Sequence, residues 1–251
     1  MMTDHLNHKV NYTRNHHFIY ALWGMGAMLL AAIALVNPLH AQDNTRLEAE
    51  EIVAKSSFTL TKVWNHEQVG GPVQKYFKNA VGVVIVPQSL AGGFIIGGEG
   101  GTGILLARGM NGWSYPVFVT VSSASIGLQI GAQTSESVYL IMTRAALEAL
   151  LKDHVKLGGN LKGAAGPVGS SFDASSSTDL NLDVLSWSIA KGAYIGASVA
   201  GTAFVPREAL NRAYYNTGAL DPAQVVLNGI ASNPQADNLR LLLQEYSNGL
   251  R

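Results

Sequence analysis

Glycine placement constrains this chain most. From Ala80 to Met142, short runs of β-branched and apolar residues alternate with glycine pairs. Val81-Gly82-Val83-Val84-Ile85-Val86 ends at Pro87 and reads as a buried strand. Phe94 to Ile96, Ile104 to Leu106, Val117 to Val121 and Val138 to Met142 continue the series. Gly92-Gly93, Gly97-Gly98, Gly100-Gly101 and the stretch from Gly109 to Gly112 punctuate it. Strands this close together have no room for crossover helices, so antiparallel hairpins are expected. Glycine within strands also permits the bends of a closed or strongly coiled sheet.

Helices are expected around this core. Thr45-Arg46-Leu47-Glu48 fits a capping box opening a helix towards Trp64. Gly70-Gly71-Pro72 breaks the chain, and a short helix over 72–79 carries Lys75 and Lys78. Arg144 to Val155 places Leu147, Leu150, Leu151 and Val155 on one stripe and stops at Gly158-Gly159. The Ser- and Asp-rich stretch from Gly169 to Asp183 reads as a loop. Leu185, Trp187 and Ile189 alternate with serines, the period of a half-buried strand. Asp221-Pro222 starts one C-terminal helix, and Leu239, Leu242, Leu243 and Tyr246 mark another. The fold class is α+β: a curved or barrel-like antiparallel sheet with helices at both ends and one in mid-chain.

The first 41 residues read as an address. Lys9 and Arg14 precede an apolar run from Phe18 to Val36; Asn37-Pro38 breaks it, and Ala41 supplies a small residue at a cut. This is the order of a secretory signal peptide. The other reading is an uncleaved anchor, since the run is long enough to span a bilayer. Residues 42–251 then form a single domain, with 217–251 as a C-terminal helical extension. The expected location is the periplasm or envelope of a Gram-negative cell.

Composition removes several function classes. There is no cysteine, which excludes disulfides, thiolate metal sites and cysteine nucleophiles. Residues 42–251 hold 15 basic and 16 acidic side chains, a balance unlike that of a nucleic-acid binder. Only His66 and His154 lie outside the leader, too few for a familiar zinc constellation, and no metal or cofactor is expected. Gly98 to Gly103 fits G-x-G-x-x-G. However, the segment after it looks like a strand, and no acid follows between Thr102 and Ser135. The dinucleotide context is missing. No Gly-x-Ser-x-Gly elbow occurs. Glu99, between glycine pairs, is the most prominent lone acid; tying a turn together through backbone N–H groups is the favoured role over catalysis.

Read in order, several stretches resemble the SYLF domain family. They are residues 80–87, Gly92 to Gly98, Gly112-Trp113-Ser114-Tyr115-Pro116, Gly127 to Gln133, Leu140 to Thr143, Ala165 to Gly169 and Ser186 to Gly192. The resemblance covers about residues 45–216. It implies binding to acidic phospholipids, phosphoinositides in eukaryotes, and no known catalysis. Some eukaryotic relatives bind actin, a partner not carried over to an exported chain. Two departures stand out. The usual Ser-Tyr-Ser-Arg-Ser-Lys-Gly is here Ser186-Trp187-Ser188-Ile189-Ala190-Lys191-Gly192, and Leu-Glu-Gly becomes Val199-Ala200-Gly201. Loss of an Arg and a Glu together is consistent with apolar packing in place of an internal ion pair.

The lipid-binding expectation falls on lysines. Lys55, Lys62, Lys75 and Lys78 form the densest basic neighbourhood after the leader, and Lys191 joins them from the family motif. Lys152, Lys156 and Lys162 rank behind. The expected partner is an anionic phospholipid membrane. The rival is an envelope protein docked on the Gly-rich sheet, and a hydrolase with an unrecognised site is the more distant alternative.

Overall fold

The structure, a computed structural model, describes residues 38–93, 96–126, 133–152, 154–159, 161–168, 182–194 and 201–249. The apolar run from Phe18 to Val36, expected to be a signal peptide, and most of the expected Gly169–Asp183 loop lie outside these residues. So do most of the Gly127–Gln133 motif and Ala200. Residues Asn44–Arg251 form one compact unit.

Among the described residues ten strands, long and short, lie between the first and last helices. Helix α1 spans Pro38–Trp64 and α2 spans Gly70–Phe77. Strands β1 (Gly82–Gly93), β2 (Ile96–Gly109), β3 (Gly112–Trp113), β4 (Val117–Ile126) and β5 (Gln133–Ile141) follow. Then come α3 (Arg144–Lys152), β6 (Val155–Lys156), β7 (Gly163–Ala165), β8 (Val184–Ala190), β9 (Ala193–Tyr194) and β10 (Ala203–Pro206). The chain closes with α4 (Glu208–Tyr215), α5 (Pro222–Asn228) and α6 (Asp237–Ser247).

The strands join in the order β6-β10-β4-β2-β1-β5-β8-β7, with β3 on β2 and β9 on β8. All pairs are antiparallel except β7 with β8, so the sheet is mixed rather than purely antiparallel. Its two edges, β6 and β7, are separated by only six residues, 157–162. Such a link reaches at most roughly 25 Å. Eight flat strands would put the edges ~33 Å apart. The sheet therefore has to curl, and it forms a half-barrel.

Both faces of the sheet are covered. Val83, Ile85, Leu106, Phe118, Leu140 and Trp187 face a core completed by α1, α2, α4 and α6. The alternate residues Val84, Val86, Leu105, Val119, Tyr139 and Val184 face a second core completed by α3 and α5. This is why the strands read as continuous apolar runs. It also corrects the half-buried expectation for Leu185 to Ile189: all of β8 is buried, and the Ser188 and Ser137 hydroxyls bond across the ladder at 2.6 Å.

The glycine pairs lie mainly in strands. Residues 97, 98, 100, 101 and 103 all belong to β2, so the G-x-G-x-x-G stretch opens no helix. Gly103 is required there by close approach: a Cβ would stand 2.6 Å from the Ile85 carbonyl oxygen, where β1 is irregular between Ile85 and Gln88. Gly166 is required by Trp187, whose ring fills the space a Cβ would take, at 1.9 Å.

The helix boundaries also shift. α1 begins at Pro38, ahead of the expected capping box, because proline suits a first helical turn. Gly70-Gly71-Pro72 opens α2 instead of breaking the chain, with the Gly70 N–H donating to the His66 carbonyl at 2.8 Å. α3 ends at Lys152, and Val155 pairs in β6 with Phe204. Asp221 caps α5 by accepting from the Ala223 N–H at 2.9 Å. Among the described residues no helix is long and apolar enough to cross a membrane.

Candidate functional site

The five lysines singled out by sequence separate into two places. Lys55 and Lys62 lie on α1 and Lys191 follows β8; all three line one groove of 360 Å³. Lys75 and Lys78 line another, of 280 Å³, between α2 and the end of α6. The second groove is floored by Trp64 and Tyr246, whose rings stack 3.8 Å apart.

The first groove runs between α1 and the middle of β1, the start of β5 and the end of β8. Its apolar lining is Phe58, Pro87 and Ile189, and its hydroxyls are Thr59, Thr134 and Ser135. Phe58 is 77% exposed. At about 100° per residue it lies about 140° around the helix from Val53, which is buried. It therefore stands on the solvent side of α1 with Lys55 and Lys62. Ile189, at the position where the family motif has Arg, is buried in the core; the matching Ala200 lies outside the described residues.

Charge in this groove is only partly paired. Lys55 Nζ meets Glu51 at 2.5 Å, one turn back on α1, with both side chains at least half exposed. Lys62 Nζ meets Glu136 of β5 at 2.8 Å, tying the helix to the sheet. Lys191 has no ion pair among the described residues. Exposed pairs such as these are worth about 0–1 kcal/mol and exchange partners readily.

Lys191 is held in an unusual backbone. It and Gly192 form the two-residue turn between β8 and β9, with φ of 49° and 77°. Such turns favour Asn-Gly, and a lysine in the left-handed region costs on the order of 1 kcal/mol. His66 fixes the turn from the other side. Its Nδ1 accepts from the Gln68 N–H at 3.2 Å, so the ring proton is on Nε2, which donates to the Gly192 carbonyl at 3.0 Å. His154 is exposed just past α3.

A third groove, of 550 Å³, lies between the β2–β3 turn and α6. Met110 and Leu241 stand on its rim, 103% and 63% exposed. Its cation has three neighbours. Arg240 Nε donates to the Trp113 carbonyl at 2.8 Å, Nη1 meets Asp237 at 3.0 Å, and the guanidinium lies 3.9 Å from the Tyr115 ring centre. The Tyr115 hydroxyl donates to Asp237 at 2.8 Å. That bond, with some burial, raises the Tyr115 pKa.

Glu99 is inside β2, not in a turn, and accepts from the Ser135 hydroxyl. Burial, reinforced by the Glu99 charge, pushes the Tyr139 hydroxyl well above its ordinary range and keeps it neutral. Among the described residues there is no group of three or more His, Asp or Glu that could hold a metal ion.

Sequence reasoning missed Glu136, Thr134 and the solvent-facing role of Phe58. The helical wheel carries a signal for Phe58, but the pairing of Glu136 with Lys62 depends on β5 lying beneath α1.

A family model, Ysc84, described as a Las17-binding protein actin regulator, matches residues 122–246. LAS seventeen-binding protein 3 of Saccharomyces cerevisiae is 29% identical over 213 residues, covering 83% of this chain and 45% of its own length. Protein YSC84 of the same organism is 29% identical over 83% of this chain and 44% of its own length. SH3 domain-containing YSC84-like protein 1 of Bos taurus is 30% identical over 62% of this chain and 46% of its own length. The match spans less than half the length of each of these relatives, one of which is named a binding protein. The chain belongs to the Ysc84, or SYLF, family.

Proposed function

We propose that this chain is a non-enzymatic protein that binds anionic phospholipid at the cell envelope through the groove of Lys55, Lys62 and Lys191. One observation carries the reading: residues far apart in sequence place three ammonium groups around an exposed phenylalanine. This is the composition of an interfacial lipid site, in which cations meet phosphates and an aromatic ring meets the acyl boundary. The backbone of Lys191 adds support, since a strained residue at a groove marks a position held for function. The leader-like N-terminus supports the location.

Co-flotation of the protein with neutral and anionic vesicles at low and high salt tests the reading. Binding to anionic vesicles alone, weakened by salt, supports it. Equal binding to both vesicle types, or to neither, overturns it.

A second reading, docking of a protein partner, is favoured by the groove beside α6, where exposed Met110 and Leu241 surround internally paired charges. A relative named as a LAS seventeen-binding protein and a family described as actin regulators point the same way. If neither vesicle type binds, and a cross-linker at Met110 captures one discrete protein that Met110→Glu no longer captures, this reading replaces the first.

A further inference from the structure

The lipid groove contains one acid that a purely anionic ligand would have to tolerate. Glu136 lines it beside Lys55, Lys62 and Lys191, with its side chain 26% exposed and its carboxylate on Lys62 at 2.8 Å. Glu51, the partner of Lys55, is 61% exposed and does not line the groove. A phosphate entering alone draws Lys62 towards itself and leaves the Glu136 carboxylate unpaired next to a second anion. Like charges at such a distance repel, and a half-buried carboxylate loses solvation it cannot recover.

A ligand with both signs of charge avoids this cost. Its phosphate takes Lys62 and the unpaired Lys191, while a cationic group takes the carboxylate that Lys62 releases. Each charge then keeps an opposite neighbour. Phe58 lines the same groove, where an aromatic ring attracts a cation, and the Thr134 hydroxyl is available for hydrogen bonding to the ligand. The Lys62–Glu136 pair is thus a template for the dipole of the ligand.

We infer that the groove selects an aminophospholipid, a headgroup carrying an ammonium beside its phosphodiester, with the phosphate on Lys62 and Lys191 and the ammonium on Glu136. A phosphoserine headgroup fits best. Its phosphate and carboxylate meet the lysines, its ammonium meets Glu136, and its net negative charge matches the excess of lysines. The inference rests on the lipid reading above and goes further by naming what the headgroup must contain.

The test uses the full chain and two sets of vesicles with equal mole fractions of phosphatidylserine or phosphatidylglycerol in phosphatidylcholine. The two anionic lipids carry the same net charge, so surface attraction is matched; the serine headgroup adds an ammonium and a balancing carboxylate where the glycerol headgroup has only hydroxyls, and Glu136→Gln reads the ammonium alone. Expected is a preference for phosphatidylserine of roughly threefold to tenfold, persisting at raised salt where non-specific attraction is screened. Glu136→Gln is expected to make the two vesicle types equal, lowering one affinity and raising the other. Equal binding by the wild type, a preference for phosphatidylglycerol, or a preference that survives Glu136→Gln overturns the inference and leaves the lipid reading standing. Binding to neither vesicle overturns the lipid reading itself. Should Glu136→Gln fail to fold, competition on the wild type decides. O-phosphoserine must displace the protein from phosphatidylserine vesicles better than glycerol 3-phosphate does, and equal displacement overturns the inference.

Discussion

In the groove beside α6, Arg240 is held by three neighbours at once: a carbonyl, a carboxylate and an aromatic ring. In the groove beside α1, Lys55 and Lys62 each hold one carboxylate, and Lys191 holds none among the described residues. The guanidinium joins α6 to the β2–β3 region, so its role is cohesion. The ammonium groups are near solvent on flexible stems and can change partner. The contrast teaches that a cation in a groove signals ligand binding only when its neighbours leave it available. It also shows why arginine suits the first task and lysine the second.

Charge reversal tests the contrast most severely. Lys55→Glu, Lys62→Glu and Lys191→Glu together should weaken anionic-vesicle binding by at least ~100-fold, since each lysine near such a surface is worth about 1 kcal/mol. Arg240→Ala should leave flotation unchanged. In chemical denaturation it should cost about 2 kcal/mol, because it removes a charged hydrogen-bond network and a ring contact. A variant that lost flotation through Arg240 alone would erase the distinction. Phe58→Ala should weaken vesicle binding roughly threefold to tenfold, as expected for partial immersion of one aromatic ring, with stability unchanged.

Smaller effects sharpen the comparison. Lys191→Asn should stabilise the fold by about 0.5–1 kcal/mol, because asparagine suits the left-handed turn, yet it should weaken flotation a few-fold. Gain of stability without loss of binding would mean that the lysine is tolerated there and not used. The smallest effect is alkaline. The Tyr115 pKa is raised in the folded state, so the stability from its bond to Asp237 is present below the unfolded value of about 10 and is lost as pH rises through the folded value. Melting of the wild type should therefore fall more steeply above pH 10 than melting of Tyr115→Phe.

Much of the fold was legible in the sequence because sheet burial is encoded locally. Val83 to Val86, Ile104 to Leu106 and Val117 to Val121 are strands at the expected places. Their glycines were harder to interpret. Gly101 and Gly103 look like turn residues, but their lack of a side chain serves the close approach of the neighbouring strand, which depends on β1–β2 pairing. The buried state of Ser188 was hidden for a similar reason: its partner, Ser137, is 51 residues away. The site was half legible. Composition and family motif pointed to the lysines, and nothing in their spacing showed that Lys75 and Lys78 would separate from Lys55 and Lys62. The intervening turn at 65–69 redirects α2, and its geometry depends on His66 meeting a turn 126 residues later.

The two outermost strands of the half-barrel, β6 and β7, have two and three residues. A long bare edge is a template on which another chain can extend the ladder, the first step towards amyloid-like association. Edges this short offer a newcomer only a few backbone hydrogen bonds. A β-rich chain assembled in this way can fold among many copies of itself with little tendency to polymerise edge to edge.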